Sequence, residues 1–547
     1  MRKEMVAKKK ADTIMKEKEI KKKPEPQKIN LDHDFSFNLL TEPWLPVVSM
    51  KGEKKFPSLN EFLKQAQDLE RFDFPLPGLE TAVLRFLVAI VHIVGAPNDK
   101  AEWEDWYKRG KFEDTFITEL QKYKDKLDLF SKTDPFLQEI ELKSSLVSEL
   151  NNINRLIHFF PYDTNPTHWM HKFDALEDRP NALAPEGVIW LLLLYNCTAY
   201  SGGSGYKPGI NGKPPNYVLL TGNSLYHSIL LNTPHNEVLN EFANSKKTID
   251  KTKNGFISKL KGETLASEIN LQTGLLWKSR QLLFVPEPNT NKQHCNISNS
   301  QPKIIIQNFI LKPQGVFLKK GQYWSDPNVI RIDLGSKGQK NLNESGILPI
   351  WREYPSMLLT SGLKDERRKA NLFSPLVIQQ CLTVKKITSK YKIHFFSFST
   401  VNNAKINQMY EQKYSFSPEF IDNEEIIKSI RFLIQFVDTF SYQLKTAFKI
   451  SFDIKKGSNQ QIPDFQSAYW HELGAMFEDS LARLADSDKY ADEVLQDWKK
   501  MLAKHVRLTF ERHTHKLIHN PKNLKAYENG RRYIEIGIYS QLTKEQT

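Results

Sequence analysis

The chain has 547 residues, of which 40% are apolar and 26% are charged, and its formal net charge is +13. Its longest apolar run, Val188 to Tyr195, is far too short to cross a bilayer. Its cysteines, Cys197, Cys295 and Cys381, are too far apart in sequence for a disulfide framework or a CxxC metal site. The lysine-rich start lacks the apolar segment of a secretory signal. We therefore expect a soluble, cytoplasmic protein of two to four domains with no membrane partner.

The positive charge is concentrated in two stretches. Residues 1–30 hold eleven Lys/Arg against five Asp/Glu, and residues 497–532 hold ten against three. Together they account for the whole excess. Clustered positive charge is typical of proteins that bind a polyanion, because each neutralised phosphate releases condensed counterions. A solvated tail and a solvated helix surface would give the same pattern.

Residues 1–35 form a basic extension. It contains lysine triplets at 8–10 and 21–23 and few aromatic residues. Such a segment cannot bury enough apolar surface to offset its ordering entropy, so we predict that it is disordered. It is either a passive tail or a weak nucleic-acid tether.

Residues 36–417 combine short strands, turns and helices. Apolar residues at 43–48, followed by the turn at Lys51-Gly52, predict a hairpin. Apolar patterns further predict helices at 59–69, 78–94, 102–127 and 186–198, and strands at 217–220, 303–311 and 392–399. We interpret this part as a mixed α/β domain.

Residues 418–547 change to helical periodicity. Apolar residues recur at spacings of three and four from Ile426 to Phe448, from Phe465 to Leu484 and from Leu495 to Val506. Such helices with short connections predict a C-terminal bundle of the four-helix type. The predicted fold class is therefore α+β, with a large mixed α/β domain followed by a helical bundle.

A glycine-rich loop follows the predicted helix at 186–198. Its sequence from Ser201 to Pro215 is SGGSGYKPGINGKPP. It is not a P-loop, because Lys207 stands where the first glycine is required and Pro214 where Ser or Thr is required. It does not match a dinucleotide fingerprint either. Glycines do let backbone N–H groups approach a nucleic-acid backbone or groove closely, while a structural Gly/Pro loop is the alternative.

Seven of the 14 histidines form two groups in the sequence, one at His158, His168 and His171 and one at His505, His513, His515 and His519. Neither group contains HExxH or a His/Cys spacing typical of a metal site. A basic, metal-dependent nuclease that uses the C-terminal histidines is the alternative function. We predict a protein that binds rather than catalyses, with no catalytic residues, no metal and no cofactor.

Several segments occur in the order found in a known family. They are Phe37–Val47 (FNLLTEPWLPV), Phe56–Leu59, the helix at 80–92, the loop at 201–215, Gly274–Trp277 and the terminal helices. Over residues 36–547 they resemble the CasA family, the large subunits of type I-E CRISPR Cascade complexes. The resemblance implies a non-enzymatic subunit that recognises the protospacer-adjacent motif from the minor groove of double-stranded target DNA. It also implies help in opening the duplex, so that guide RNA can pair, and a platform for a separate helicase-nuclease.

The resemblance implies roles for individual residues. The motif-reading loop is similar to the segment made of Gly202, Gly203, Ser204 and Gly205, with Lys207 beside it. Ser204 stands where the family has glycine. The groove-reading lysine matches Lys312, with Gln314 as the alternative. The strand-separating wedge matches Arg367 or Arg368, in place of a typical glutamine, and an arginine could stack on a base pair or hold a phosphate.

Guide RNA and other Cascade subunits are the remaining implied partners. Phe159 or Phe160 matches the aromatic residue that touches the guide. Some relatives hold zinc through two CxxC pairs, where this chain has only His294-Cys295 and Ala-Pro-Glu186, so we predict no zinc.

The basic residues of the terminal bundle should mostly face outward, because a bundle buries its apolar stripes. We predict that they contact the DNA backbone without sequence preference. They are Lys499, Lys500, Lys504, Arg507, Arg512, Lys516, Arg531 and Arg532.

Overall fold

A computed structural model describes most of the chain. The described residues are 29, 34–156, 182–199, 205–212, 215–242, 262–278, 280–313, 315–335, 338–342, 350–359, 362–365, 370–383, 391–401, 405–454, 461–486 and 491–543. Most of the predicted extension lies outside them, so its disorder stays a prediction. Ile29 is an exception, because it is buried against Leu283, Val285 and Ile310 and thus belongs to the folded body.

The α-helices of the described part are as follows: α1 (Leu59–Gln65), α2 (Leu79–Val94), α3 (Lys100–Arg109), α4 (Asp114–Leu120), α5 (Pro185–Thr198), α6 (Leu225–Leu231), α7 (Asn236–Phe242), α8 (Leu271–Leu275), α9 (Leu376–Thr383), α10 (Glu424–Ser451), α11 (Gln466–Asp486), α12 (Ala491–Thr514) and α13 (Pro521–Thr543). Short 3-10 helices connect several of the elements. For example, Val147–Glu149 directly precedes the strand Leu150–Asn152, and Ile350–Met357 precedes the strand Leu363–Asp365.

The strands of the described part form several small sheets rather than one large sheet. They are β1 (Val47–Ser49), β2 (Lys54–Lys55), β3 (Leu69–Phe72), β4 (Leu150–Asn152), β5 (Tyr217–Thr221), β6 (Gly262–Thr264), β7 (Gln281–Pro288), β8 (Ile304–Lys312), β9 (Val316–Leu318), β10 (Arg331–Asp333), β11 (Gln339–Asn341), β12 (Leu363–Asp365), β13 (Ala370–Phe373), β14 (Tyr391–Val401) and β15 (Lys405–Phe416). The sheet orders are β2-β1-β3, β4-β8-β7, β15-β14-β5 and β11-β10-β13-β12, and β6 pairs with β9 in parallel.

The structure confirms the predicted hairpin, with β1 starting at Val47. It confirms the helices predicted at 78–94 and 186–198 and the three predicted strands within two residues at each end. The helix predicted at 59–69 is shorter, because the α-helix ends at Gln65 and Leu69 already begins β3. The single helix predicted at 102–127 is wrong. The structure has α3, α4 and a 3-10 helix at Gln121–Lys126 instead. Gly110 ends α3 in the left-handed conformation, with φ of 72°, which glycine adopts without a steric penalty and which breaks the helix.

The core of the N-terminal part is built around α2. Nearly every residue of this helix is buried, and it packs against α5 and α8. The Trp44 side chain is fully buried beside α2, with its ring centroid 5.8 Å from that of Phe86. The Trp190 indole N–H of α5 donates to the Trp44 carbonyl over 2.7 Å. The FNLLTEPWLPV segment therefore joins the first sheet to the central helices.

The C-terminal part is helical, as predicted, with α10 to α13 packed on one another. The bundle is docked firmly on the mixed body. Trp351 stacks on Phe477 of α11 with 4.6 Å between ring centroids, and the Glu478 carboxylate accepts two hydrogen bonds of 2.6 Å from Ser415 of β15. The fold class is therefore confirmed: a mixed α/β body followed by a helical region. The boundary at 417/418 stays a prediction.

Candidate nucleic-acid interface

The described part of the glycine loop begins at Gly205, a short distance after α5 ends at Thr198. Gly205 has φ of +83°, and a β-carbon built on it would lie 3.5 Å from Cβ of Pro313. Pro313 is the residue directly after Lys312. The structure thus brings Gly205, the first described residue of the glycine loop, against the end of β8. Two elements that the sequence analysis singled out therefore lie side by side.

Lys312 is the last residue of β8 and pairs with Gln281 of β7. Its ammonium group forms an ion pair with Glu149, which precedes β4 in the same sheet. The hydrogen bond from Lys312 is the main cause that holds the pKa of the Glu149 carboxyl below its usual value. Because both side chains are about one third exposed, at 33% and 35%, a ligand can reach them from solvent.

The glycine loop is held at its base by an aromatic ring between two arginines. The guanidinium carbons of Arg155 and Arg280 each lie 5.1 Å from the Tyr206 ring centroid, within the range of cation–π attraction. Arg280 is buried and also donates to the Lys207 carbonyl oxygen. Our sequence reasoning missed Arg155 and Arg280. The sequence did contain a sign of Arg280, because it is a charged residue between two apolar segments, Gly274–Trp277 and Leu282–Val285, and the second segment lies in β7.

The far end of the described loop is anchored in a buried ion pair. Asn211 Nδ2 donates to Asp326 Oδ2 over 2.7 Å, and Asn341 Nδ2 donates to Asn211 Oδ1 over 2.8 Å. Asp326 also accepts two hydrogen bonds of 2.8 Å from the Arg85 guanidinium of α2. Burial acts to lower the pKa of Arg85, but the neighbouring Asp326 carboxylate outweighs it and the pKa is raised. The pair therefore stays charged and gives the loop a fixed attachment.

Several predicted site residues lie outside the described residues. They are Gly202, Gly203, Ser204, Gln314, Arg367, Arg368, Phe159 and Phe160. The strands on either side of the predicted wedge are described: β12 and β13 pair antiparallel, with Asp365 opposite Ala370.

The basic residues of the bundle do not all face outward. Lys499 is buried, with its ammonium group 5.0 Å from the Phe436 ring centroid, so the outward placement predicted for it is wrong. Lys499 lies four residues after Leu495 and three residues before Leu502. It therefore shares a helix face with these two residues of the buried stripe. From this buried position the Lys499 ammonium group cannot reach a DNA phosphate.

Other bundle cations are exposed but paired with carboxylates. Arg507 donates two hydrogen bonds of 2.8 Å to Glu535, and Arg512 lies 2.6 Å from Glu472. Weaker contacts join Lys500 to Asp497 at 3.9 Å and Arg531 to Glu528 at 3.8 Å. Lys504, Lys516 and Arg532 are exposed and form no ion pair within the described residues.

The C-terminal histidines bond the backbone rather than one another. His513 Nδ1 lies 2.9 Å from the Thr509 carbonyl oxygen, and His515 Nδ1 lies 3.0 Å from the Arg512 carbonyl oxygen. Within the described residues, no group of three His, Cys, Asp or Glu side chains is placed to hold a metal ion. His158, His168 and His171 lie outside those residues.

The two segments that match the zinc-holding segments of some relatives do meet, through hydrogen bonds. Glu186 at the start of α5 accepts from the hydroxyls of Ser298 and Ser300, at 2.8 and 2.5 Å. Cys295 is buried nearby, close to Gly187. One thiol, one carboxylate and two hydroxyls do not fit a structural zinc site, which takes four Cys or His ligands.

None of the helices described here is long and apolar enough to cross a membrane.

The sequence and the fold are both similar to those of known proteins. A family model described as CRISPR-associated protein Cse1 matches residues 38–509. The protein CasA/Cse1 of Thermus thermophilus is 31% identical over 211 residues. That alignment covers 36% of this chain and 39% of the relative, so it spans well under half of either protein.

Solved structures match over nearly the whole chain. The crystal structure of Cse1 from Acidimicrobium ferrooxidans has a TM-score of 0.67 and 17% identity, and the match covers 93% of this chain and 99% of that one. A chain of a structure titled CRISPR RNA-guided surveillance complex has a TM-score of 0.63 and 15% identity, covering 91% and 99%. At these identities the likeness shows the fold. Because the family model matches most of its length, the chain belongs to the Cse1 (CasA) family of CRISPR-associated proteins.

Proposed function

We propose that this chain is the large, non-catalytic subunit of an RNA-guided Cascade surveillance complex and that it reads a short motif in duplex DNA. In this proposal the loop backbone around Gly205 and the Lys312 ammonium group enter the minor groove together. The observation that carries it is that Gly205 lies against Pro313, the neighbour of Lys312, although they are distant in sequence: a β-carbon at Gly205 would lie 3.5 Å from Pro313 Cβ. The fixed base of the loop at Tyr206 supports the same role.

The chemistry of the groove suits this pair of elements. The minor groove is only about 6 Å wide and shows a degenerate pattern of acceptors. A loop with glycine can bring its backbone N–H groups close, and one lysine can donate to base acceptors. Recognition of this kind is tolerant, and pairing with the guide supplies the remaining sequence specificity, as in other RNA-guided effectors.

The other tasks follow from the family resemblance. Arg367 or Arg368 would hold the duplex open beside the motif, and Phe159 or Phe160 would touch the guide RNA. The subunit would also assemble with the other Cascade subunits and serve as a platform for a helicase-nuclease. A structural neighbour is itself part of an RNA-guided surveillance complex, which supports this assignment. We place the activity in the cytoplasm, in antiviral defence.

The decisive experiment is binding of the reconstituted complex to a DNA library randomised beside the guide-matched target. Lys312→Ala should cost about 1–3 kcal/mol against the preferred motif and flatten discrimination. Lys303→Ala is a matched control, because Lys303 is an exposed lysine just before the same strand. An equal loss on every sequence would instead assign Lys312 to a phosphate contact and contradict motif reading.

Duplex opening and catalysis are tested separately. Permanganate footprinting of unpaired thymines should show reduced opening in Arg367→Ala/Arg368→Ala, with initial binding little changed. The purified chain with magnesium or manganese should leave plasmid DNA intact. Cleavage that is lost in His515→Ala would support the nuclease alternative and overturn the proposal.

A further inference from the structure

A cleft of about 520 Å³ is lined on one side by residues 207–212 of the glycine loop and is rich in lysine. Lys207 of the loop, Lys319 and Lys320 of the turn after β9, and Lys340 of β11 all line it. All four lysines are exposed, and none of them forms an ion pair within the described residues. Glu263 is the acidic residue among the described lining residues, so the cleft is strongly positive.

The lysines are carried by backbone that is fixed in place. The turn after β9 is closed by a hydrogen bond of 2.9 Å from Gln322 N–H to the Lys319 carbonyl, and Lys319 N–H donates to Thr264 of β6 over 3.0 Å. Lys340 lies opposite Ile332 in the β10–β11 pair. Four lysines gathered on fixed backbone with a single carboxylate, Glu263, among the described lining residues repel one another in the free protein, and a bound anion would relieve that repulsion.

The inner wall of the cleft adds uncharged recognition groups. Asn341 is only 4% exposed, and its Oδ1 accepts no hydrogen bond within the described residues. The Phe317 ring lies beside Lys207, with 5.6 Å between the ring centroid and the ammonium nitrogen. A half-buried aromatic ring flanked by lysines is the combination with which proteins track the backbone and bases of nucleic acid.

We propose that this lysine cleft binds the phosphodiester backbone of target DNA where it leaves the glycine loop, an inference that rests on the proposed function. The cleft begins at Lys207, two residues after Gly205, so a strand that passes the loop enters it at once. Three of the bundle cations are less suited to this task, because Lys499 is buried and both Arg507 and Arg512 are held by carboxylates. DNA in the cleft is either flanking duplex or the displaced single strand.

The test compares two quadruple variants in the reconstituted, guide-loaded complex. The first is Lys207→Gln/Lys319→Gln/Lys320→Gln/Lys340→Gln. The control is Lys51→Gln/Lys64→Gln/Lys111→Gln/Lys124→Gln, which removes the same charge from exposed lysines outside the cleft that form no ion pair within the described residues. Affinity is measured from low to high salt on a fully paired target, on a target with a preformed bubble, and on motif-bearing duplex without guide match.

The cleft variant should bind about 10- to 100-fold more weakly at physiological salt, and its salt slope should be shallower by up to about 0.9 for each duplex phosphate that the variant no longer neutralises. Because Lys207 stands beside the motif-reading loop, motif preference is compared in the triple variant Lys319→Gln/Lys320→Gln/Lys340→Gln, where it should be unchanged. A defect on all targets assigns the cleft to flanking duplex, and a defect confined to the paired and bubble targets assigns it to the displaced strand.

A salt slope equal to that of the control variant, or a defect in guide loading instead of DNA binding, overturns the inference. Loss of motif preference in Lys312→Ala is read separately, so failure of the proposed function is distinguishable from failure of the cleft.

Discussion

Lys312 at the end of β8 and Glu149 ahead of β4 form an ion pair, and the residue after Lys312, Pro313, lies against Gly205. The Lys312 ammonium therefore already has a charged acceptor before any DNA arrives. A base or phosphate oxygen that binds it meets an ammonium group whose charge the Glu149 carboxylate already partly neutralises. If Lys312 enters the groove as proposed, Glu149 would weaken its binding to DNA and disfavour contacts that offer less than a well-placed acceptor.

Removing this competition should raise affinity and lower selectivity. Glu149→Gln keeps the shape of the side chain but removes its charge. We expect duplex affinity to rise by up to about fivefold for all sequences, in line with the 0–1 kcal/mol of an exposed ion pair. The ratio between preferred and non-preferred motifs should fall, as measured with the same randomised library.

A double-mutant cycle shows whether Glu149 acts through Lys312. Glu149→Gln/Lys312→Ala should bind like Lys312→Ala alone, because the carboxylate then has no ammonium group to hold. Additive effects of the two changes would contradict the competition between Glu149 and DNA.

The anchor of the glycine loop gives a second prediction. Asn211→Ala removes the hydrogen bond to the Asp326 carboxylate, which should cost about 1.5–3 kcal/mol of unfolding free energy. Because the loop loses its attachment, duplex affinity should also fall. Urea unfolding and duplex titration measure the two effects.

A matched control for this change is Asn289→Ala. Asn289 donates two hydrogen bonds of 2.8 Å to the carbonyls of Gln293 and Pro302, in a loop away from Gly205. It should lower stability without changing duplex affinity. If Asn211→Ala behaves in the same way, the anchor does not position the loop.

The elements with strong apolar patterns could be predicted from the sequence. The buried helix α2 and the periodic helices α10 to α12 follow from spacing alone, because their packing faces are continuous in sequence. The glycine loop is evident from its composition. The sequence pattern at 102–127 predicts one long helix across Gly110. In the structure the glycine ends α3, and α4 and a 3-10 helix follow as separate elements.

The contacts within the candidate site could not be predicted, because they join distant parts of the chain. Glu149 and Lys312 are 163 residues apart, and Asn211 and Asp326 are 115 apart. No periodicity links such pairs. Lys499 is a different case: its spacing from Leu495 and Leu502 places it on the buried stripe, whereas its charge alone favours the surface.

His92 gives a pH-dependent prediction. It is buried in α2, and burial lowers its pKa to about 3. The unfolded chain binds this proton with a pKa near 6.5 and the folded chain does not, so His92 contributes stability that is complete above pH 6.5 and is lost as pH falls towards 3. The loss approaches about 1.4 kcal/mol per pH unit.

Comparison with His92→Leu isolates this contribution from those of other titrating groups. Urea unfolding between pH 7 and pH 4 should show a smaller decline for the variant than for the wild type. The difference in slope is the readout, because the substitution also changes packing at every pH. Parallel curves would mean that His92 accepts a proton in the folded protein.

The remaining cations of the bundle give the last prediction. Lys504, Lys516 and Arg532 are exposed and form no ion pair within the described part of the chain, whereas Lys499, Arg507 and Arg512 are buried or paired. If the bundle tracks the DNA backbone, Lys504→Glu/Lys516→Glu/Arg532→Glu should weaken binding to all targets about equally. The salt dependence should become shallower by roughly one unit of slope for each phosphate that the bundle no longer neutralises. Motif preference should persist, since we propose that it depends on Lys312 and the glycine loop. Lys51→Glu/Lys64→Glu/Lys111→Glu carries the same charge change elsewhere on the surface and controls for long-range electrostatics. If the two triple variants share one affinity and one salt slope, the bundle face is an ordinary solvated surface, and the lysine cleft alone would have to account for backbone binding by this subunit.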